Sequence, residues 1–153
     1  MSIDRADWHW DTAEKQYREE HGITGELTDE QIDELWLMAG DHIGMFLRWI
    51  IERGFGGEEF DPEHCEDVRS GKMSGTKFLM WDCDGKLLED DIREDILPFV
   101  DKYYNDGYLD DYCECCGGDS PVYGFMTTEE EFARLRERMD AAFEAFNAEG
   151  GNG

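Results

Sequence analysis

Basic residues are scarce in this chain of 153 residues, which has 14 Lys and Arg against 39 Asp and Glu and a formal net charge of -25. Nucleic-acid binding draws affinity from Lys and Arg that neutralise phosphates, so direct DNA or RNA binding is disfavoured. Adhesion to anionic membranes is disfavoured for the same reason. A basic protein surface is the favoured partner, because complementary fields accelerate encounter. The alternative is that the acidity serves only solubility, or reflects a proteome that is acidic in general.

Long apolar runs and targeting signals are also missing. No stretch approaches the roughly 18 apolar residues that a membrane-spanning helix needs. The N-terminal sequence MSIDRADWHW has neither the basic nor the apolar region of a secretory signal. The five cysteines are an odd number, which suits a reducing compartment better than a disulfide framework. We therefore expect a cytoplasmic protein.

Aromatic residues are plentiful, with 5 Trp, 6 Tyr and 9 Phe in a chain that is 40% hydrophobic. A disordered acidic chain would normally lack them, so we expect this chain to fold. Its length matches one domain with a single core. We predict one globular domain over residues 1–149 and a disordered tail over residues 150–153.

The stretch DHIGMFLRWIIERGF, residues 41–55, is apolar on nearly every side. Upstream of it, Thr28 and Gln31 have the spacing of a capping box that starts a helix. Apolar residues then recur at steps of three and four, at Ile32, Leu35, Trp36, Ala39, Ile43, Phe46, Leu47 and Ile50. A helix that is apolar all round is a buried one, so we predict that the remaining chain packs around it.

Two glycines in this helix, Gly40 and Gly44, would let another element approach closely, although Gly40 could also mark a break into two helices. Arg53 and Gly54 are a typical helix end. Further helix starts are predicted at Asp61 with Pro62, near Ser74, at Pro98, and at Thr127 or Thr128.

The segment VYGF, residues 122–125, has the composition of a short strand. All other periodic segments favour helix. The predicted fold is mainly α: a compact single-domain helical fold around a buried central helix, with room for a small β element and with α+β as the alternative class.

Two segments resemble metal sites. Cys113 and Cys116 form a C-x-x-C pair, with Cys115 between them, which suits two zinc ligands. Further ligands are scattered, at Cys65 with its neighbour His64 and at Cys83. The stretch WDCDGKLLEDD has the carboxylates of a calcium loop, but its first ligand position would fall on a methionine. We therefore expect ordinary thiols, no metal and no cofactor, and keep a zinc-binding domain or small metalloenzyme using this cysteine cluster as the alternative.

His42 lies inside the apolar block and beside Asp41, which could orient it as a general base. The commoner interpretation is a core histidine whose ring bonds a backbone carbonyl. The chain has no nucleophile elbow, phosphate-binding loop or dinucleotide-binding glycine motif. We therefore expect a non-enzymatic protein with no catalytic residues.

Several blocks of the chain carry a family resemblance: DWHW, HIGMFLRWIIERG, SGTKFLMWDCDGKLLEDDI and FVDKYYNDGYLDDY, followed by an aromatic-rich closing helix. Together they resemble an uncharacterised bacterial family known as a domain of unknown function, most clearly in the His-Ile-Gly-Met-Phe-Leu block. In general style the chain is similar to immunity proteins, which neutralise a cognate toxin by binding it. This resemblance implies protein binding and assigns no catalytic residue.

The expected function is therefore that of an acidic immunity or inhibitor protein that binds a basic partner such as a bacterial toxin. The binding surface is predicted where acids concentrate among aromatic residues, within residues 82–111. The predicted contact residues are Asp82, Asp84, Glu89, Asp90, Asp91, Glu94, Asp95, Asp101, Asp106, Asp110 and Asp111.

Overall fold

The computed structural model describes residues 2–118, 120 and 122–151. Its elements in chain order are β1 (Ser2–Arg5), α1 (Trp10–His21), α2 (Asp29–Glu52), α3 (Pro62–Ser70), α4 (Gly75–Asp82), β2 (Lys86–Leu88), α5 (Leu97–Tyr103), α6 (Leu109–Cys115) and α7 (Glu129–Phe146). The predicted mainly α fold with a small β element is confirmed. A last helical turn, Asn147–Gly151, enters the predicted tail, and residues 152–153 of that tail lie outside the described residues.

Helix α2 is the centre of the molecule, as its sequence predicts. The Thr28 hydroxyl accepts the Gln31 N–H, and the Gln31 side chain accepts the Thr28 N–H at 2.8 Å, so the capping box is formed. From Leu35 onward nearly every side chain of α2 is buried. The helix runs through Gly40 without a break and ends at Arg53. Within the described residues, no helix combines the length and apolarity that crossing a membrane requires.

Helix α4 crosses α2 at two glycines. A Cβ at Gly44 would lie 2.5 Å from the Cα of Thr76, and a Cβ at Gly75 would lie 2.7 Å from the Cβ of Arg48. These distances are too short for any side chain, so the two backbones touch directly. The close approach expected at Gly44 is therefore present, and α4 packs against α2 at the position where Gly44 has no side chain.

Aromatic side chains fill the space between α2 and the C-terminal half of the chain. Phe46 is fully buried, with its ring 4.9 Å from the rings of both Tyr104 and Tyr108. Trp49 is also fully buried, and its indole N–H donates to Asp140 of α7 at 2.8 Å. The buried indole therefore has the hydrogen-bond partner that it needs.

The short helices begin where their start signals predict. Asp61 caps α3 with Pro62 in its first turn, Ser74 caps α4, and Thr128 caps α7. Pro98 lies in the first turn of α5. A helix start is a local event, set by a side chain that accepts an unpaired backbone N–H, so it can be predicted locally.

The strand predicted at residues 122–125 is wrong. Tyr123 has φ +74°, a left-handed conformation that an extended strand does not allow. The small sheet is formed instead by β1 and β2, antiparallel, with Asp4 opposite Leu87 and Arg5 opposite Lys86. The pairing joins segments more than 80 residues apart, and the sequence shows no sign of it.

Candidate functional site

A cluster of polar side chains with little solvent exposure centres on Asp4. This residue points inward from β1, and its side chain is 10% exposed. Its Oδ1 lies 2.7 Å from His9 Nε2, and its Oδ2 accepts the hydroxyl of Tyr104 at 2.6 Å. Burial opposes ionisation, but the hydrogen bonds that Asp4 receives, first from His42 and then from His9, outweigh it and lower the pKa of the carboxyl.

His9 follows the 3₁₀ turn Ala6–Trp8 and immediately precedes α1. Its Nδ1 lies 2.5 Å from the hydroxyl oxygen of Tyr123, and its Nε2 faces Asp4. The ring is therefore held at both nitrogens. Its side chain is 23% exposed, so one edge of the cluster reaches solvent.

His42 supplies the buried side of the cluster, from the middle of α2. Its Nε2 lies 3.3 Å from Asp4 Oδ2, and its ring lies 4.5 Å from the His9 ring and nearly perpendicular to it. Its side chain is only 5% exposed, and its Nδ1 has no hydrogen-bond partner in the described part of the chain. Burial lowers the pKa of His42, against the opposing effect of Asp4. A buried nitrogen without a hydrogen-bond partner is unusual in folded proteins, and this one is not the nitrogen that faces Asp4.

His42 is a buried histidine, as the commoner interpretation predicts, but the hydrogen-bond partner predicted for its ring is wrong. The ring faces a carboxylate instead of a backbone carbonyl, and that carboxylate is Asp4 instead of the neighbouring Asp41. Successive residues of a helix point about 100° apart, so Asp41 and His42 enter different environments.

Asp41 lies in a second buried polar group. It accepts hydrogen bonds from the hydroxyls of Tyr112 at 2.6 Å, Thr127 at 2.5 Å and Thr76 at 3.2 Å. Its side chain therefore joins α2 to α6, to α4 and to the segment before α7. Burial raises the pKa of Asp41, and these hydrogen bonds offset part of that rise.

An open groove of about 560 Å³ lies between the N-terminal turn, α2 and the end of α4. Its lining residues are Arg5, Ala6, Asp7, Asp33, Trp36, Leu37, Met80, Trp81, Asp84, Gly85 and Lys86. Trp81 in this lining is 67% exposed. Trp8 does not line the groove, but its ring lies 5.9 Å from the guanidinium of the lining residue Arg5, and it is 59% exposed. Tryptophan is usually well buried, so these two exposed indoles need an explanation.

The eleven predicted contact acids differ in their exposure and in the contacts that they make within the protein. Those that are exposed and form no ion pair in the described residues are Asp90, Glu94, Asp101, Asp106 and Asp110. Asp84 is exposed too and lies in the groove, 3.9 Å from Lys86. Glu89 is partly buried.

The other four predicted acids already form hydrogen bonds or ion pairs within the protein. Asp82 lies 2.6 Å from His64 Nδ1, and Asp95 accepts from Arg93. Asp111 accepts the hydroxyl of Tyr103 at 2.6 Å and also pairs with Arg138. Asp91 is buried, where it accepts the backbone N–H of Leu88 at 2.9 Å. A partner would have to displace these contacts in order to use these four acids.

Among the described residues, the cysteine cluster does not gather further metal ligands around it. Cys113 is exposed, whereas Cys115 and Cys116 are buried, and burial raises the pKa of the Cys116 thiol to about 12. Among the described residues, the group of three or more His, Cys, Asp or Glu whose ligand atoms lie within 4.8 Å of one another is Asp4, His9 and His42.

Sequence reasoning missed this cluster because its members are far apart in the chain. Asp4 comes from a strand that was not predicted, and His9 from the DWHW block. His42 begins the His-Ile-Gly-Met-Phe-Leu block. The available signal was that these two blocks, both among those that carry the family resemblance, each contain a histidine.

Comparison with known proteins gives a family and no relatives. No curated protein and no solved structure matches the chain. One family model, the domain of unknown function DUF7832, matches residues 2–124. The match includes the whole Asp4, His9 and His42 cluster and stops before α7. Since it covers well over half of the chain, this protein belongs to the DUF7832 family.

Proposed function

We propose that this protein is a non-enzymatic binding protein whose acidic surface docks on a basic surface of another protein. The observation that carries the proposal is a pair of exposed tryptophans, Trp81 in the lining of the groove and Trp8, whose ring lies 5.9 Å from the guanidinium of the lining residue Arg5. Tryptophan is enriched among the residues that contribute most of the energy of protein interfaces, because one rigid side chain covers a large area.

The charges around the groove support a basic partner. Arg5 is held by two hydrogen bonds to Asp7, and Lys86 lies 3.9 Å from Asp84. Both bases of the lining are therefore next to an acid, and a third acid, Asp33, also lines the groove. The exposed acids of the predicted surface add to a net charge of -25. Such a field attracts Lys and Arg and repels nucleic acid.

The partner class follows from this chemistry. A toxin that acts on a phosphate-bearing substrate needs a basic cleft, and an acidic protein that occupies the cleft neutralises it. We propose such an immunity-type role in the bacterial cytoplasm, with the two indoles as anchors and the acids as the steering field.

The experiment tests the indoles separately from the net charge. Immobilised wild-type protein, a Trp8→Ala/Trp81→Ala double variant and a Leu109→Ala control are used to capture proteins from a lysate of the source organism. Leu109 is a suitable control because it is 49% exposed and does not line the groove. We expect wild type and control to retain the same basic protein, and the double variant to lose it.

Binding kinetics with the captured protein then test the charge. Association should slow as salt rises from 0.01 to 0.15 M, because the Debye length shrinks from about 30 Å to about 8 Å. The tryptophan variant should instead dissociate faster, with a similar salt dependence. A partner that binds the double variant and wild type equally well would overturn the proposal, as would an acidic or salt-insensitive partner.

A further inference from the structure

The Asp4, His9 and His42 cluster is separate from the docking groove, and none of its three members lines that groove. It combines two imidazoles and one carboxylate, and their ligand atoms all lie within 4.8 Å of one another. Nitrogen and oxygen donors of this kind suit divalent first-row transition metals. We propose that this cluster is a Zn²⁺ site with three protein ligands.

The distances suit a single ion with little rearrangement. Two ligands that each lie about 2.1 Å from a tetrahedral zinc are about 3.4 Å apart. His42 Nε2 and Asp4 Oδ2 are already 3.3 Å apart. His9 Nε2 is 2.7 Å from Asp4 Oδ1, a hydrogen-bond distance, so this contact has to open by less than 1 Å. Zinc would take the place of a proton between groups that already face one another.

The surroundings orient two of the three ligands, His9 and Asp4, as a metal site requires. The Tyr123 hydroxyl bonds His9 Nδ1, so His9 Nε2 points at Asp4. The Tyr104 hydroxyl and the backbone N–H of Arg5 fix the carboxylate. Outer hydrogen bonds of this kind set the ring orientation and the strength of metal-binding ligands.

The burial of His42 closes one side of the cluster. Its side chain is more than nine-tenths buried, and it faces Asp4 with Nε2, the nitrogen that would bind the ion. Its Nδ1, which has no partner among the described residues, is not part of the proposed ligand set. The exposed edge of His9 gives the ion a route in and leaves a fourth position for water, as in zinc sites with three protein ligands.

Zinc binding is measured on the full chain after removal of metal with a chelator. Equilibrium dialysis against ZnCl₂ with elemental analysis gives stoichiometry and affinity. We expect one zinc per chain in wild type, and a rise in melting temperature on its addition. Tyr123→Phe removes only an outer hydrogen bond and should weaken binding by roughly 10–100-fold. His9→Gln removes a ligand and should weaken it further.

Two control variants outside the cluster test whether the ion binds at Asp4, His9 and His42 and not elsewhere. His64→Gln removes a surface histidine that also bonds a carboxylate, at 2.6 Å from Asp82, and should bind zinc like wild type. Cys113→Ser should do the same. Circular dichroism checks that each variant folds, and Tyr123→Phe keeps the test valid if His9→Gln does not fold.

Three results would overturn the proposal. The first is a wild-type protein that takes up no stoichiometric zinc. The second is zinc binding that survives both Tyr123→Phe and His9→Gln unchanged. The third is zinc binding that is lost in Cys113→Ser, which would place the ion at the cysteines. Each of these results leaves the docking proposal intact, because no step of it uses this cluster.

Discussion

At the residue scale, burial decides how the polar side chains of α2 behave. Asp41 is fully buried, and its hydrogen-bond partners come from three other parts of the chain. Loss of such an acceptor leaves several buried donors without a partner, each at a cost of about 1–3 kcal/mol. Asp41 is therefore a structural residue, although its position beside His42 suggests catalysis.

Burial also orders the cysteines by reactivity. Cys113 is exposed, while Cys65, Cys115 and Cys116 are buried, and burial raises the pKa of all four thiols. Since every one of these thiols is a weaker acid than usual, access of the reagent decides the order, and at pH 8 we expect Cys113 to be alkylated first. Peptide mapping by mass spectrometry after brief iodoacetamide treatment measures this order. Cys113→Ser should remove the fast phase, and rapid labelling of Cys116, with its pKa of about 12, would contradict the prediction.

The surface pair of His64 and Asp82 predicts a pH dependence. The hydrogen bond that the His64 ring donates to Asp82, together with the charges of Asp82 and Asp61, raises the pKa of His64 above its usual value near 6.5. A raised histidine pKa stabilises the fold while the ring is charged. This contribution is present below about pH 6.5 and is lost as pH rises through the higher pKa of the folded state.

The measurement is an NMR titration of the His64 ring, together with unfolding of wild type and His64→Gln across this pH range. The difference in stability between the two proteins should be largest at the acidic end and shrink as pH rises. A His64 pKa at or below 6.5 would contradict the expectation.

At the scale of elements, the crossing of α2 and α4 rests on direct backbone contact. Gly44→Ala should push the two helices apart, because the new Cβ would lie 2.5 Å from the Thr76 Cα. We expect a loss of about 1–3 kcal/mol or more in the free energy of unfolding, as for overpacked cores. Chemical denaturation measures the loss.

Gly40→Ala is the matched control for this prediction. Its Cβ would meet only side chains, the nearest being Leu79 Cδ2 at 3.3 Å. Alanine is also favoured over glycine within a helix by about 1 kcal/mol. Gly40→Ala should therefore be close to neutral, and equal losses from both variants would show that the backbone contact is not the cause.

At the scale of the whole molecule, the excess negative charge opposes the compact state. The acids of this chain divide into those that pair with an arginine and those that do not. Glu52 pairs with both Arg48 and Arg136. By contrast, Asp90, Glu94, Asp101 and Asp106 are exposed and form no ion pair within the described residues.

Neutralising the unpaired acids should stabilise the fold. A variant with Asp90→Asn, Glu94→Gln, Asp101→Asn and Asp106→Asn should melt at a higher temperature than wild type at 0.01 M salt, because self-repulsion falls. The gain should shrink at 0.15 M, where charges are screened within about 8 Å. Glu52→Gln should lower the melting temperature, because it removes the partner of two arginines. Stabilisation by both variants would mean that net charge alone matters.

The amino-acid sequence by itself determined what depends on neighbours in the chain. The start of α2 at Thr28, its burial beyond Leu35, its end at Arg53 and the start of α3 at Asp61 follow from capping and from a period of 3.6 residues. Helix α1 was missed because only Ala13 and Tyr17 of its side chains are buried, and so narrow an apolar stripe gives little periodic signal.

Only the tertiary structure decided which distant residues meet. The pairing of β1 with β2 brings Asp4 inward, the turn before α1 presents His9, and α2 carries His42 to the same point. Capping and periodicity act over three or four residues, whereas this contact spans 38 residues between Asp4 and His42. Its formation depends on how packed elements close on one another, and no local pattern encodes that.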